Sequence, residues 1–130
     1  MIGRWIILLG SLGVLWCPAV LAVDFMNDVK PLLSRLGCNG SSCHGKAEGQ
    51  NGFKLSVFGA DPRGDYHSIL KEARGRRITQ TAPEASLFLR KATGEVGHGG
   101  GVRLQKGSRE YRVLHDWIRG GLIFAEEKRP

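Results

Sequence analysis

The chain has 130 residues, a formal net charge of +7, and charged side chains at 24% of its positions. This length allows one domain at most and excludes a second one. The core of so small a domain is only marginally stable by itself, so a buried prosthetic group would supply much of the missing stability. The positive charge would indicate a nucleic-acid partner if the protein stayed in the cytoplasm.

Residues 1–22 are predicted to be a secretory signal peptide. Arg4 provides the positively charged n-region, residues 5–16 form an apolar run, and the sequence Val-Leu-Ala at 20–22 is the predicted cleavage site. The alternative is a retained membrane anchor, but the run is shorter than the roughly 20 residues that span a bilayer, and Pro18 follows it. We therefore expect an exported, periplasmic or extracytoplasmic protein without a membrane span after cleavage. Its partner would be an acidic protein or an anionic membrane surface rather than nucleic acid.

The first predicted helix covers residues 24–36. Its apolar residues recur at spacings of three and four and form one stripe, which consists of Phe25, Val29, Leu32, Leu33 and Leu36. Pro31 cannot lie in a helix interior, so the helix either begins near Asp28 with Pro31 in its first turn or kinks at Pro31. Gly37 ends the helix.

The segment 38–44 follows at once, with the sequence CNGSSCH. It holds the two cysteines that remain when Cys17 is removed with the signal peptide. Two cysteines followed directly by a histidine are typical of covalent haem attachment, with the imidazole as an iron ligand. The usual spacer has two residues and this one has four, so it must bulge for both sulfurs to reach one porphyrin edge. Cys38 and Cys43 are the predicted attachment points and His44 the predicted ligand.

Two other interpretations of these residues remain open. A disulfide between Cys38 and Cys43 suits an exported protein but gives His44 no role. A zinc site would need one more histidine, and adjacent cysteine and histidine side chains point in divergent directions. The disulfide would make the protein an interaction module without haem. A haem-based sensor of small ligands is a third function to set beside electron transfer.

Residues 45–62 are predicted to be an extended loop with one apolar side, formed by Phe53, Leu55 and Val57. A second helix begins at Asp61 or Asp65 and continues to about Arg74, where Gly75 stops it. This helix is expected to bury three apolar residues, namely Ile69, Leu70 and Ala73.

Two further helices are predicted in the second half of the chain. The sequence Thr-Ala-Pro-Glu at 81–84 has the form of a capping box and predicts a third helix that ends near Gly94. Residues 95–107 are too rich in glycine to be regular. Ser108 caps a last helix with an apolar stripe of Tyr111, Leu114, Trp117 and Ile118. Residues 125–130 are a polar tail that is expected to fray.

A second iron ligand must come from a histidine after the cysteine segment. The methionine left in the mature chain, Met26, precedes the cysteines, so the common His/Met pairing does not apply. The candidates are His67, His98 and His115. His98 is preferred because glycines on both sides let the backbone approach a flat ring closely. Ligation by two imidazoles predicts a lower reduction potential than ligation by histidine and methionine.

A basic group surrounds one turn and consists of Arg74, Arg76, Arg77 and Arg90. A solvated face is the simplest interpretation. The functional alternatives are pairing with haem propionates and docking of an acidic redox partner.

Residues 24 to about 122 resemble the planctomycete-type cytochrome c domain, a family that usually stands at the start of long exported proteins. The resemblance depends on the segment 37–45 and on these motifs: VDF at 23–25, DVKPLL at 28–33, GQNGFKLS at 49–56, DP at 61–62, DY at 65–66, ARGRR at 73–77, PEAS at 83–86, HGGG at 98–101 and WI at 117–118. It implies a class I-like cytochrome c fold, in which the first and last helices pack together. It also implies thioether bonds at Cys38 and Cys43, with His44 as the proximal ligand. The four-residue spacer departs from the usual two.

These observations together predict a signal peptide at 1–22, an all-α cytochrome c-like domain at 23–124 and a polar tail at 125–130. The expected cofactor is one covalently attached haem c, with its iron held by His44 and His98. The expected function is electron transfer to or from an acidic redox partner, without enzymatic activity of the protein itself.

Overall fold

The computed structural model describes residues 22–129. Within them it has no β-strand and four α-helices, which are Lys30–Arg35 (α1), Pro62–Leu70 (α2), Leu87–Ala92 (α3) and Arg109–Arg119 (α4). The predicted all-α class is therefore confirmed. The signal peptide is predicted at 1–22, and all of it except Ala22 lies outside the described residues. No helix of the described part is long and apolar enough to cross a bilayer.

The first helical region is divided at Pro31. Phe25–Val29 is a wide π-helical turn that ends where the Lys30 N–H donates to the Phe25 carbonyl, and α1 begins at Lys30. Pro31 lies in the first turn of α1, where its missing N–H has no helical partner to lose. The prediction of Pro31 in a first turn is confirmed, although α1 begins two residues after Asp28.

The second helix is shorter than predicted. The carboxylate of Asp61 caps it by accepting from the Gly64 N–H at 3.0 Å. It ends at Leu70, because Ala73 and Arg74 have positive φ values of 51° and 59° and form a separate 3-10 turn. Ala73 is exposed, so the prediction that the helix buries it is wrong.

The third helix does not begin at the predicted capping box. Pro83–Ala85 is an isolated 3-10 turn, and α3 starts only after Ser86. The hydroxyl of Ser86 accepts from the Thr79 N–H at 2.9 Å, so it joins two chain segments. The last helix begins as predicted, since the Ser108 hydroxyl accepts from the Tyr111 N–H at 3.1 Å.

The core lies where the first helical region meets α4. Phe25 and Trp117 are fully buried with ring centres 5.7 Å apart. The Phe25 N–H and the Trp117 indole N–H both donate to the Ile123 carbonyl, at 2.8 and 3.0 Å. The first and last helical regions are thus packed together. The other buried apolar residues are Val29, Leu32, Leu33, Leu55, Ile69, Leu89, Leu104, Leu114 and Ile118.

Two loop predictions are corrected by the structure. Residues 45–56 form a loop as expected, and Leu55 is buried, but Val57 is 42% exposed and lies in a 3-10 turn instead of on the apolar side. The end of the chain is also held in place. The backbone N–H of Arg129 donates to the Asn27 side chain at 2.8 Å and its Nε to Asp24 at 3.1 Å, so the expectation of a frayed tail is wrong there.

Candidate functional site

A cavity of about 570 Å³ lies between α1, α3, α4 and the loops that follow α1 and α3. Its apolar walls are Leu33, Leu36, Phe53, Leu55, Leu87, Phe88, Ala92 and Leu114. Its charged lining residues are all basic, namely Arg76, Arg77, Lys91 and Arg103, and no carboxylate of the described chain lines it. A cavity of this kind fits a ligand with a large apolar surface and anionic groups.

The segment 38–44 lies against this cavity because of how α1 ends. Gly37 adopts a left-handed φ of 75°, and the Cys38 N–H donates back to the Leu33 carbonyl at 2.9 Å. The Gly37 N–H donates to the Ser34 carbonyl at 3.1 Å, which completes a Schellman motif. The chain therefore turns sharply after the helix, and Cys38 lines the cavity beside Leu33.

The four-residue spacer between the cysteines folds into a tight, hydrogen-bonded turn. The Cys43 N–H donates to the Gly40 carbonyl at 2.9 Å, and the His44 N–H donates to the Cys38 carbonyl at 3.0 Å. These bonds bring the two ends of the segment together, and Cys38, Cys43 and His44 all line the cavity. Both cysteines are free thiols. Burial raises the pKa of Cys38 to about 11, the neighbouring Cys43 adds to that rise, and Arg103 opposes it.

Gly45 allows this loop to close. A Cβ at Gly45 would lie 2.2 Å from the backbone oxygen of Asn39, so only glycine fits. The buried side chain of Asn39 donates to the Ser34 hydroxyl at 2.9 Å and joins the loop to α1. The position of both thiols and of His44 thus depends on a backbone contact that a larger residue would break.

The ring of His44 is oriented by a backbone carbonyl. Its Nδ1 is 2.9 Å from the Phe53 carbonyl, and its ring centre is 4.5 Å from that of Phe53. Because a carbonyl can only accept, Nδ1 carries the proton and Nε2 keeps its lone pair. Burial lowers the pKa of His44 despite this hydrogen bond, and the charges of His98 and Arg77 lower it further. The neutral imidazole is the form that can ligate a metal ion.

His98 is oriented in the same manner. Its Nδ1 donates to the Gly101 carbonyl at 2.7 Å, and its loop is held by the Arg103 Nε, which donates to the Gly100 carbonyl at 2.8 Å. A Cβ at Gly100 would lie 3.1 Å from the His98 ring, so this glycine lets the loop fold tightly around the ring. In the neutral tautomer that this bond favours, Nε2 is the nitrogen that could bind a metal ion.

The structure brings these two histidines together. Their ring centres are 6.2 Å apart and their planes are inclined by only 12°. Neither of the other candidates lines this cavity. His67 is exposed on α2, and His115 bonds to Asp116 at 3.0 Å. Of the candidate ligands, His98 is the one placed next to His44.

The basic group around the turn does not act as one surface. Arg74, Arg76 and Arg90 are exposed, and Arg90 lies 3.8 Å from Glu95. Arg77 is only 5% exposed and donates to backbone carbonyls. Sequence reasoning missed Lys91 and Arg103, which line the cavity, because their partners are carbonyls of a glycine-rich loop and no residue pattern marks such contacts.

Two further observations bear on the alternatives. Among residues 22–129 no group of three or more His, Cys, Asp or Glu side chains is placed to hold a metal ion. No family model, curated protein or solved structure matches the chain.

Proposed function

We propose that the chain is an exported c-type cytochrome that carries one haem and transfers electrons. The observation that carries this proposal is the pair of His44 and His98, which both line one apolar cavity and both donate from Nδ1 to a backbone carbonyl. Cys38 and Cys43 line the same cavity as free thiols. No acidic residue of the described chain lies there to oppose an anionic cofactor.

The spacing of the two rings fits a haem iron between them. Two metal–nitrogen bonds of about 2 Å each, with roughly 1 Å more from each nitrogen to its ring centre, give a span of about 6 Å between ring centres. The observed 6.2 Å agrees with that span. The Nδ1 hydrogen bonds to backbone carbonyls are those that metal-ligating histidines commonly make.

The residues of the chain would then have distinct roles. Cys38 and Cys43 would hold the cofactor through thioether bonds, while His44 and His98 would ligate its iron. Phe88 and the leucines of the cavity would exclude water from it. The haem supplies one-electron chemistry at iron when bound, and the protein sets its potential and its accessibility. The protein makes and breaks no bonds of a substrate.

The basic lining residues support a role for charge at the cavity. Arg76 and Arg103 are exposed there, and Lys91 is partly exposed with its Nζ donating to the Gly97 carbonyl at 2.5 Å. They are available to pair with haem propionates or to approach an acidic redox partner. Arg77 is not available for docking because it is buried.

The test is to express the full chain in a host with a periplasmic haem-maturation system and to purify the exported protein. We expect a haem-stained band after denaturing electrophoresis and a mass that equals the cleaved chain plus one haem. The matched control is the double variant Cys38→Ser/Cys43→Ser, which should lose the stain. A colourless wild-type protein with Cys38 and Cys43 joined by a disulfide would overturn the proposal and favour an interaction module.

A second measurement separates an electron carrier from a haem-based sensor. A carrier with both histidines bound should give a low-spin spectrum that carbon monoxide changes only slowly in the reduced protein. Rapid carbon monoxide binding to the wild-type protein would indicate an open iron position and favour the sensor.

A further inference from the structure

Arg77 is a buried cation without a carboxylate partner among the described residues. It is 5% exposed, and its guanidinium donates to the carbonyls of Ser68 at 2.8 Å, Glu72 at 3.2 Å and Gly52 at 2.7 Å. Its charged end also lies 4.5 Å from the centre of the Phe53 ring. Burying a charge costs free energy unless the charged group is well hydrogen-bonded. The planar guanidinium of arginine carries five N–H donors, so it can bond to several carbonyls at once, as it does here.

Its contacts meet at a tight turn. Asn51 and Gly52 both have positive φ, at 48° and 73°, and Gln50 and Phe53 form an antiparallel bridge across them. An Asn-Gly pair with two positive φ angles is a type I′ turn. Arg77 holds this turn twice, by its bond to the Gly52 carbonyl and by its contact with the Phe53 ring.

The same turn holds His44. The Phe53 carbonyl accepts the Nδ1 hydrogen of His44, and the Phe53 ring contacts the imidazole with centres 4.5 Å apart. The Leu55 N–H also donates to the His44 carbonyl at 2.8 Å. The orientation of the imidazole is thus set by one carbonyl and one ring, and Arg77 braces both.

We propose that Arg77 is a positioning residue for the iron ligand His44, which it fixes through the Gly52–Phe53 turn. The inference rests on the proposed function, because it assigns a role toward haem iron. A strong hydrogen bond from Nδ1 makes the imidazole a more basic ligand that would donate more electron density to iron. This would stabilise the ferric state relative to the ferrous state. Loosening the turn should weaken that bond and shift the midpoint potential to more positive values.

The charge of Arg77 would act in the opposite direction. Removing a positive charge near the iron stabilises the ferric form and makes the potential more negative. The variant Arg77→Lys separates the two effects, since it keeps the charge and loses the planar fork. The control is Arg119→Lys, which makes the same change at an exposed arginine of α4 that does not line the cavity.

The experiment uses the purified exported holoprotein. For Arg77→Lys we expect a more positive midpoint potential and displacement of an axial histidine by cyanide that is roughly tenfold faster. Hydrogen exchange of the peptide that covers residues 50–55 should also become faster. The Arg119→Lys control should match the wild type in all three measurements. Circular dichroism and haem content establish that each variant is folded and loaded.

The outcomes distinguish the two proposals. A wild-type protein without covalent haem overturns the proposed function and this inference with it. A loaded, folded Arg77→Lys protein with wild-type potential and cyanide kinetics overturns this inference alone and leaves Arg77 as a brace of the fold. If Arg77→Lys does not fold, Arg77→Gln is tested, which keeps an amide donor and removes the guanidinium fork. Faster cyanide displacement and faster exchange of residues 50–55 in that variant support the inference, and their absence overturns it.

Discussion

His44 and His98 line one cavity, and the same kind of hydrogen bond orients both rings. The Nδ1 of His44 donates to the Phe53 carbonyl at 2.9 Å, and the Nδ1 of His98 donates to the Gly101 carbonyl at 2.7 Å. Neither bond uses a side chain as acceptor, so the orientation of each ring depends on the shape of its loop. The two loops are far apart in sequence, and an arginine bonds to each of them, Arg77 to the first and Arg103 to the second. This similarity supports a common role for the two rings.

The first prediction concerns removal of His98. In His98→Ala we expect haem to remain covalently attached, because the proposed thioether bonds of Cys38 and Cys43 would hold it independently of the second ligand. The iron should lose one ligand, and carbon monoxide should bind the reduced protein roughly tenfold faster or more. In His98→Met the midpoint potential should rise, because thioether ligation favours ferrous iron. Absorption spectra and redox titration measure these changes.

The control for this prediction is His115→Ala. His115 is partly exposed on α4 and bonds to Asp116, so its removal should leave the spectrum and the potential unchanged. If His115→Ala gives the open iron and His98→Ala does not, the ligand assignment to His98 is wrong.

A second prediction concerns the thiol of Cys38 in haem-free protein, made without the signal peptide. Its pKa of about 11, against 9.0 for a free thiol, leaves roughly a hundredfold less thiolate near pH 8. A more basic thiolate is also a better nucleophile, so the net slowing of alkylation should be about tenfold. The rate of Cys38 alkylation is measured by iodoacetamide labelling at several pH values, followed by mass spectrometry. The same chain in urea is the control, and equal rates in both conditions would contradict the assigned burial of Cys38.

Local features of the fold were predictable because short-range chemistry determines them. Ser108 caps α4 with a bond to a residue three positions later, and the stripe of Leu114 and Trp117 follows from helical spacing. Gly37 ends α1 through the left-handed conformation that glycine favours. The two caps have partners within a few residues, so the sequence pattern contains the whole interaction, whereas the contact of Trp117 with Phe25 joins distant segments.

Other features depend on partners distant in sequence and were therefore missed. The capping box predicted at 81–84 does not begin a helix. The helix begins after Ser86, whose hydroxyl accepts a hydrogen bond from the Thr79 N–H. Arg77 reaches the carbonyl of Gly52, which lies 25 residues earlier, and a backbone carbonyl leaves no mark in a residue pattern. His98 was chosen for its glycine neighbours, but its distance from His44 could come only from the folded chain. Its role as a ligand stays a prediction.

A third prediction concerns the closure of the cysteine loop. In Gly45→Ala the new Cβ would lie 2.2 Å from the Asn39 carbonyl oxygen and 2.8 Å from that of Gly40. Relief requires the backbone to move, so we expect a loss of about 3 kcal/mol in the free energy of unfolding and a lower yield of covalent haem. Urea denaturation and haem staining measure these. Gly97→Ala is the matched control, because its Cβ meets nothing within 4 Å. Equal stability of the two variants would mean that the loop closes in another way.

The last prediction concerns the ion pair between Asp24 and Arg129. Burial alone would raise the pKa of Asp24, but hydrogen bonds from Arg129 and Asn27 outweigh it and lower the pKa below its ordinary value of 3.8. The carboxylate therefore stabilises the fold above about pH 3.8, and this contribution is lost as the pH falls through the lower pKa of the folded state. Arg129→Ala should be less stable than the wild type at pH 7, and the difference should shrink as the pH falls below 3.8.

Chemical denaturation across this pH range checks that prediction, with Arg119→Ala as the control. Arg119 is an exposed residue of α4, so its removal should leave the shape of the stability curve unchanged. If Arg129→Ala differs from the wild type by the same amount at pH 7 and at the acid end of the range, the Arg129 side chain stabilises the chain end through its packing and its bond to the Ala22 carbonyl. The fold would then be closed by the bonds of the chain end to the first helical region, and the charge of Asp24 would contribute little.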